Sequence, residues 1–248
     1  MNEQGKERIA KALSRLGVAS RRDAEAMISE GRIAVNGLRV EHPATFVTDA
    51  DAISVDGEII GEKDVPRLWL YHKPIEVMVA ARDPQGRKTI YDCLPADMPR
   101  VMPIGRLDYK TEGLLLLTNS GGLKRHLELP ATGWLRQYRV RVFGDWDKKI
   151  PDQLKKGITV DGIRFGPIDC AYDNSTKTSG KNFWVNVTLR EGKNREVRRA
   201  MQHMGLTVNR LIRTSYGPFN LSTMPPDAVQ EVSAKVLREQ IGKILETL

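Results

Sequence analysis

The first sixty residues alternate between helical and strand-like spacing of apolar residues. Ile9, Leu13 and Leu16 fall on one helical stripe, and Ser20 is a suitable N-cap for a second helix. A short strand with an Asn-Gly turn follows in RIAVNG, and a second strand pair lies near TFVTD and AISVDGEII. This order predicts a small helical and stranded domain over residues 4–62.

The rest of the chain, residues 66–248, alternates between apolar strands and short helices. The strand-like stretches are LWLYHKP, LLLLT, QYRVRVFG, FWVNVTLREG and LTVNRLIRTSYG. LKRHLEL, NREVRRAMQHMG and the C-terminal segment from PPDAVQEV onward have helical patterns. Many strands with few long helices predict an α+β protein, whose larger domain has a mixed, mainly antiparallel sheet flanked by helices.

Positive charge is unevenly distributed along the 248 residues, which have a formal net charge of +8. Residues 1–39 contain eight Lys or Arg against five Asp or Glu, and residues 190–213 contain seven against two. Residues 40–64, in contrast, contain one Lys against seven acids. Two basic regions separated by an acidic segment favour a polyanionic partner, although charge alone does not identify a nucleic acid.

Several classes of protein are disfavoured by composition. Cys93 and Cys170 are isolated, which predicts two buried thiols rather than a disulfide or a zinc site. No apolar run approaches the roughly 18 residues of a membrane span. The first residues also lack the apolar region of a signal peptide, so we expect a cytoplasmic protein. The isolated cysteines give no reason to expect a metal site.

Four arginines gather in the N-terminal domain: Arg15, Arg21, Arg22 and Arg32. A guanidinium suits phosphate because its donors fork across two oxygens, but these residues could equally form a solvated face. Their context, SRLGVASRRDAEAMISEGRIAVNG, resembles the alpha-L RNA-binding domain over roughly residues 4–55. If the arginines bind RNA, the acidic segment after residue 40 should lie away from it, because like charges repel.

The stretch GRLDYKTEGLLLLTNSG sets Asp108 between two glycines, just before four consecutive leucines. An aspartate in such a loop is usually a turn former. Other features favour a chemical role: Arg106 lies two residues earlier, Tyr138 stands at the head of a strand, and EGKNREVRR adds a cluster of cations.

Three segments resemble the motifs of the bacterial rRNA pseudouridine synthases of the RsuA type. They are GRLDYKTEGLLLLTNSGGL, RQYRVRVFG and EGKNREVRRAMQHMGLTVNRLIRTSYGPF. The spelling NREVRR followed by VNRLIRTSYG is most similar to members that act on the large ribosomal subunit. The resemblance implies that a specific uridine of ribosomal RNA is flipped out and isomerised to pseudouridine.

The resemblance also implies roles for individual residues. Asp108 becomes the catalytic carboxylate, Arg198 its ion-pair partner, and Tyr138 the ring that packs on the uracil. Arg106 is then a candidate to fill the space left by the flipped base. Candidates to grip flanking phosphates are Lys193, Asn194, Arg195 and Arg199. Whether the aspartate attacks the anomeric carbon or removes the ribose 2′ proton stays open.

The implied reaction needs no cofactor, because nothing is oxidised and no phosphate is transferred. The sequence accordingly has no P-loop and no GxGxxG. We expect a monomer whose partner is ribosomal RNA, with no membrane and no nucleotide. Two alternatives remain: a non-catalytic assembly factor that binds ribosomal RNA, or a synthase for small-subunit RNA. An RNA methyltransferase of the doubly wound type is disfavoured, because no strand is followed by a Gly-rich loop.

Overall fold

The computed structural model describes residues 5–61, 65–129, 132–175 and 180–246. The chain divides into two compact units, Met1–Pro66 with Asn119–Gly121, and Arg67–Thr118 with Gly122–Leu248. The predicted boundary at 62–66 falls partly on residues 62–64, outside the described residues, and stays a prediction. No helix within the described ranges is long and apolar enough to cross a membrane.

The N-terminal unit packs two helices against short strands. Ile9 and Leu13 of the predicted helical stripe are buried in its core beside Ile28, and Leu16, the third residue of the stripe, is partly buried against it. Ser20 caps the second helix, because its hydroxyl oxygen accepts the Asp23 N–H at 3.1 Å. The elements are β1 Glu7–Arg8, α1 Ile9–Arg15, α2 Arg21–Ser29, β2 Ile33–Val35, β3 Leu38–Arg39, β4 Phe46–Val47, β5 Ile53–Val55 and β6 Glu58–Ile59.

Two tight hairpins shape the sheet of this unit, which has the order β3-β2-β5-β6. Asn36 and Gly37 have φ values of 51° and 81°, and therefore form the predicted Asn-Gly turn. The strand at TFVTD, β4, does not join AISVDGEII as expected. It pairs with β1 instead, with Glu7 opposite Val47, so that element of the prediction is wrong.

The larger unit is built around one extended sheet. Its elements are β7 Leu68–Lys73, a 3₁₀ helix Ile90–Asp92, β8 Met102–Ile104, β9 Glu112–Thr118, α3 Gly121–Glu128, β10 Arg136–Phe143, α4 Ile150–Lys155, β11 Ile158–Val160, β12 Ile163–Phe165, β13 Ile168–Tyr172, β14 Asn182–Leu189, α5 Glu196–His203, β15 Thr207–Tyr216, β16 Phe219–Asn220, β17 Val229–Glu231 and α6 Ala234–Leu245.

The described strands of the main sheet follow the order β13-β14-β10-β15-β9-β7-β17, with β16 beside β15 and β8 beside β9. β15 runs parallel to β9 and the other pairs are antiparallel, so the predicted mixed, mainly antiparallel α+β fold is confirmed. The C-terminal segment is not wholly helical as predicted. β17 pairs with β7 first, and α6 begins only after Ser233, whose side chain accepts the Val236 N–H as an N-cap.

Strand β9 explains the four consecutive leucines. Leu114 and Leu116 belong to one buried cluster, whereas Leu115 and Leu117 belong to another that includes Tyr71. Because both faces of the strand are covered, its sequence does not alternate between apolar and polar residues.

Gly113 brings β9 and β15 together at the start of this leucine run. Its φ of +106° is a conformation that side chains rarely adopt, and a Cβ there would lie 2.4 Å from the carbonyl oxygen of Arg213. The parallel register places Arg213 opposite Gly113. Only glycine therefore permits this spacing of the two strands.

We expect Gly113→Ala to lower the free energy of unfolding by about 3 kcal/mol or more, because backbone strain and overpacking add. Urea unfolding measures this change. Gly86→Ala is the matched control: φ is +69° there, but no atom lies within 4 Å of the new Cβ. It should cost only about 1 kcal/mol. Equal losses for the two variants would show that the close contact with β15 is unimportant.

Candidate active site

A cavity of about 510 Å³ opens between the loop that follows β8, strands β10 and β15, and the loop that precedes α5. Both apolar and charged side chains line it. Among them are Arg106, Asp108, Arg136, Tyr138, Lys193, Asn194, Arg195, Arg213 and Tyr216. The cavity therefore brings together Asp108 and Tyr138, which lie in different sequence motifs. Arg198 is not among its lining residues.

The turn that carries Asp108 is held through its backbone. The Thr111 N–H donates to the Asp108 carbonyl oxygen at 3.0 Å and closes the turn. The next three carbonyl oxygens accept hydrogen bonds from outside the turn: Tyr109 from the Glu76 N–H at 2.7 Å, Lys110 from Arg198 Nη2 at 2.7 Å, and Thr111 from Lys73 Nζ at 2.9 Å. The backbone that carries Asp108 is thus held in place without using the carboxylate itself.

Lys73 is a residue of this site that the sequence reasoning missed. It is 0% exposed, at the end of β7, and also donates to the Pro74 carbonyl oxygen at 2.8 Å. Burial lowers the pKa of Lys73 to about 8, although nearby acids, including Asp108, oppose the shift. The sequence did contain a signal for Lys73, because this lysine ends the largely apolar strand LWLYHKP. A cation buried there needs hydrogen-bond acceptors.

The ion-pair partner of Asp108 is Arg195, whose Nη1 lies 3.7 Å from a carboxylate oxygen. Arg195 precedes α5 in a left-handed conformation, with φ of 52°. The predicted direct pair between Asp108 and Arg198 is wrong. Arg198 binds the Lys110 carbonyl oxygen, and also that of Val208 at 3.2 Å. Burial and Arg195 lower the pKa of the Arg198 guanidinium, while Asp108 opposes this shift.

Tyr138 stands on β10 beside an irregularity of the sheet. Gln137 pairs with Ser215 and Tyr138 with Arg213, so Thr214 is an extra residue on β15. Such a bulge bends the strand and redirects its side chains. Tyr138 is partly buried, packs against two of the apolar clusters, and lines the cavity. The aromatic ring thus forms a section of the cavity wall, on a rigid strand.

Two acids organise the loop before α5. Glu196 is 3% exposed, accepts the Lys193 N–H at 2.9 Å, and interacts with Glu191 through the side chains. Burial and the neighbouring Glu191 raise the pKa of Glu196 to about 8. Burial favours a higher pKa for Glu191. Hydrogen bonds from the Gly166 N–H and the Lys193 ammonium outweigh this effect and lower the pKa below its ordinary value. Glu196 therefore carries the proton of this pair at neutral pH.

The predicted phosphate-binding residues of the larger unit fall into two groups. Arg106, Lys193, Asn194 and Arg195 are exposed and line the cavity. Arg199 does not line it. Its guanidinium donates to the Val160 carbonyl oxygen at 3.1 Å and to the Asp161 carboxylate at 2.9 Å.

In the N-terminal unit, Arg21 and Arg22 are exposed at the start of α2. Arg15 instead pairs with Glu7 at 2.6 Å and with Asp49 at 2.9 Å. Arg32 pairs with Asp56 at 2.7 Å. The acidic segment thus contacts two of the four arginines through Asp49 and Asp56. That it lies away from bound RNA stays a prediction.

Two family models match the chain, one described as RNA pseudouridylate synthase over residues 67–203 and one as S4 domain over residues 7–53. The chain belongs to the RNA pseudouridine synthase family. The matched synthase region includes Asp108, Tyr138, Arg195 and Arg198. The S4 match confirms an N-terminal RNA-binding domain, as the alpha-L resemblance predicted.

Relatives that match this chain over nearly all of its length support this membership. An uncharacterized RNA pseudouridine synthase of Rickettsia felis is 42% identical over 94% of this chain and 100% of its own. Ribosomal large subunit pseudouridine synthase B of Pasteurella multocida is 38% identical over 95% of this chain and 70% of its own. The resemblance to synthases of the large subunit is confirmed by this second relative.

A crystal structure of a pseudouridylate synthase has the same fold, with a TM-score of 0.65 and 21% identity, covering 94% of this chain and 98% of that one. Within the described residues of this synthase, no three His, Cys, Asp or Glu side chains are grouped as metal ligands. The polar side-chain groups that line the cavity are carboxylates, guanidiniums, amines, amides and hydroxyls.

The buried proton of Glu196 predicts a pH-dependent stability. The folded synthase keeps this proton up to about pH 8, whereas an unfolded glutamate loses it near its ordinary pKa of 4.5. The free energy of unfolding should therefore fall as pH rises between these values, by at most about 1.4 kcal/mol per pH unit for one proton. Glu196→Gln stays neutral and should flatten this slope in urea unfolding.

Glu239→Gln, an exposed change on α6, is the control and should leave the slope as it is in the wild type. If Glu196→Gln and the wild type lose stability equally between pH 5 and pH 8, Glu196 does not hold the proton.

Proposed function

We propose that this synthase isomerises a specific uridine of large-subunit ribosomal RNA to pseudouridine, with Asp108 as the catalytic carboxylate and no cofactor. The large-subunit target is supported by the relatives named ribosomal large subunit pseudouridine synthase B, including that of Yersinia pestis, which is 38% identical over 98% of this chain. Such a substrate implies action in the cytoplasm.

The backbone anchoring of the Asp108 turn is the observation that carries this proposal. A catalytic carboxylate must be accessible to the substrate and must also be held in position, because a small displacement of a reacting atom lowers the reaction rate strongly. The Asp108 side chain is 34% exposed, while the carbonyl groups that follow it are bound by neighbouring elements. Its ion pair with Arg195 is long enough to be exchanged for contacts with a substrate.

The reaction is an isomerisation. The C1′–N1 bond of the uridine breaks, the uracil turns, and a C1′–C5 bond forms. The C5 proton is lost and N1 gains one, so atoms and electrons balance. Asp108 either attacks C1′ or removes the 2′ proton, and both routes need its ionised form.

Tyr138 and Arg198 assist in different ways. Tyr138, on the cavity wall, packs against the uracil and helps to move the C5 proton. Arg198 acts through the Lys110 carbonyl oxygen, to which it donates a hydrogen bond, and so holds the turn. Arg198 is therefore a positioning residue rather than the direct partner of the carboxylate.

The target base must leave its stack to reach the cavity, which costs a few kcal/mol and least in a loop. Arg106, at the rim, fills the vacated space. Phosphates beside the target are gripped by Lys193, Asn194, Arg195 and Arg199. The N-terminal domain, residues 4–62, binds the RNA through Arg15, Arg21, Arg22 and Arg32. Several of these cations already pair with carboxylates and must share their charge in doing so, namely Arg15, Arg32, Lys193, Arg195 and Arg199.

Two other functions give different results in one experiment. An assembly factor would bind ribosomal RNA without modifying it, and a synthase of the small subunit would modify only the smaller RNA. Unmodified transcripts of both ribosomal RNAs, incubated with the wild type and mapped for pseudouridine, separate these functions. Conversion of one uridine in the large-subunit RNA supports the proposal, and binding without conversion supports the assembly factor.

We expect Asp108→Asn to lower the rate of pseudouridine formation at least about 1,000-fold, since the amide can neither attack C1′ nor accept the 2′ proton. Pseudouridine mapping on large-subunit RNA measures this loss, and RNA binding should persist. Asp97→Asn makes the same change at an exposed position outside the cavity and should retain full activity. Substantial turnover by Asp108→Asn would exclude the aspartate as the reacting group.

We expect Tyr138→Phe to keep RNA affinity within about twofold, because stacking is preserved. Its turnover should fall by about 100-fold or more if the hydroxyl moves a proton. Affinity is followed by filter binding, and turnover by a single-turnover assay. Tyr172→Phe removes a hydroxyl from an aromatic cluster outside the cavity and serves as the control. Full turnover by Tyr138→Phe would limit this residue to stacking.

A further inference from the structure

A buried guanidinium in the cavity has no role in the mechanism above. Arg213, on β15, is 2% exposed yet lines the cavity. Its Nε donates to the Leu114 carbonyl oxygen at 2.7 Å, and its Cζ lies 5.0 Å from the centre of the Tyr216 ring. Its Nη2 is buried and has no hydrogen-bond acceptor among the described residues.

An unpartnered donor on a buried cation is costly. Leaving a buried N–H without an acceptor costs about 1–3 kcal/mol, and more when the group is charged. The Tyr216 ring stabilises the charge through its face but offers no lone pair in the guanidinium plane. A protein tolerates this cost where a ligand supplies the missing acceptor.

A second buried arginine of the same cavity makes the contrast clear. Arg136 also lies over the Tyr216 ring, with its Cζ 4.7 Å from the ring centre. Its Nη1 donates to the carbonyl oxygens of Trp134 and Arg190, and its Nη2 donates to the Tyr216 hydroxyl oxygen. Arg136 is thus held on both of its terminal nitrogens, whereas Arg213 is held only through Nε among the described groups.

The sheet puts Arg213 beside Tyr138. The two residues are paired across β15 and β10, so their side chains stand next to each other on one face. Gly113, on the other side of Arg213, has no side chain that could separate them from the Asp108 turn. A flat base packed on the Tyr138 ring would therefore present its edge to Arg213.

We propose that Arg213 donates hydrogen bonds to a carbonyl oxygen of the bound uracil and stabilises the negative charge of the departing base. This inference rests on the proposed function. When C1′–N1 breaks, the electron pair leaves with N1 and spreads onto O2 and O4. A fixed guanidinium beside these oxygens stabilises that charge more than it stabilises the neutral base. The anion is consumed when C5 bonds to C1′; the C5 proton then leaves and N1 takes one up, so the base ends neutral.

The acidity of the leaving base distinguishes this role from a structural one. Fluorine at C5 withdraws electrons, so the 5-fluorouracil anion needs less stabilisation than the uracil anion. Large-subunit RNA transcribed with either UTP or 5-fluoro-UTP provides the two substrates. The fluorine replaces the C5 proton, so the measured event is loss of the N-linked nucleoside from the target position, followed by mass spectrometry under single-turnover conditions.

Arg213→Gln should slow this event about 100-fold on the uridine RNA, the usual effect of removing one such donor. On the fluorinated RNA the loss should be at least about threefold smaller, because the anion is already stabilised. Arg213→Lys keeps the charge with fewer donors and should lie between wild type and Arg213→Gln. Arg141→Gln, an exposed change on β10 outside the cavity, is the matched control and should leave both rates unchanged.

Equal slowing on both RNAs would overturn the inference, because a variant that merely distorts the cavity does not sense the leaving group. An unchanged rate would overturn it as well. Thermal unfolding identifies a variant that fails to fold. If Arg213→Gln does so, the rates on the two RNAs are compared for Arg213→Lys instead. If the wild type converts neither RNA, the proposed function fails first; if it converts both, only the role of Arg213 is at stake.

Discussion

The contact between β9 and β15 is the constraint on which the site depends. Gly113 lets the two strands run parallel at a distance that a Cβ would prevent. The pairing places the Asp108 turn, which precedes β9, beside the strand that carries Arg213. The four leucines that follow Gly113 are buried by apolar clusters on both faces of β9, so the turn extends from a strand that has no freedom to shift.

Buried and half-buried cations in this site mainly hold backbone carbonyl oxygens. Lys73, Arg198 and Arg213 each donate to a carbonyl within 2.9 Å, whereas Arg195 stands 3.7 Å from the Asp108 carboxylate. Carbonyl oxygens are acceptors that no substrate can displace without unfolding the turn. The positive charge around Asp108 is thus kept in place, while the carboxylate retains a loose, exchangeable partner.

Most of the fold could be predicted from the sequence, because long apolar strands and capped helices leave local signals. The β9–β15 pairing could not, since it joins positions 100 residues apart, such as Gly113 and Arg213. The motifs indicated that Asp108 and Tyr138 lie together, and both line one cavity. The choice between Arg195 and Arg198 as ion-pair partner depends on the left-handed conformation of Arg195, which residue type alone does not specify.

The bulge at Thr214 changes the phase of β15. In a regular strand, residues three positions apart point to opposite faces, so Arg213 and Tyr216 would lie on opposite sides of the sheet. The extra residue resets the alternation, and the guanidinium lies over the ring instead. Deleting Thr214 would therefore move Arg213 and Tyr216 to opposite faces of the sheet, although both side chains would remain. The number of residues in β15 matters to the site as much as their identity.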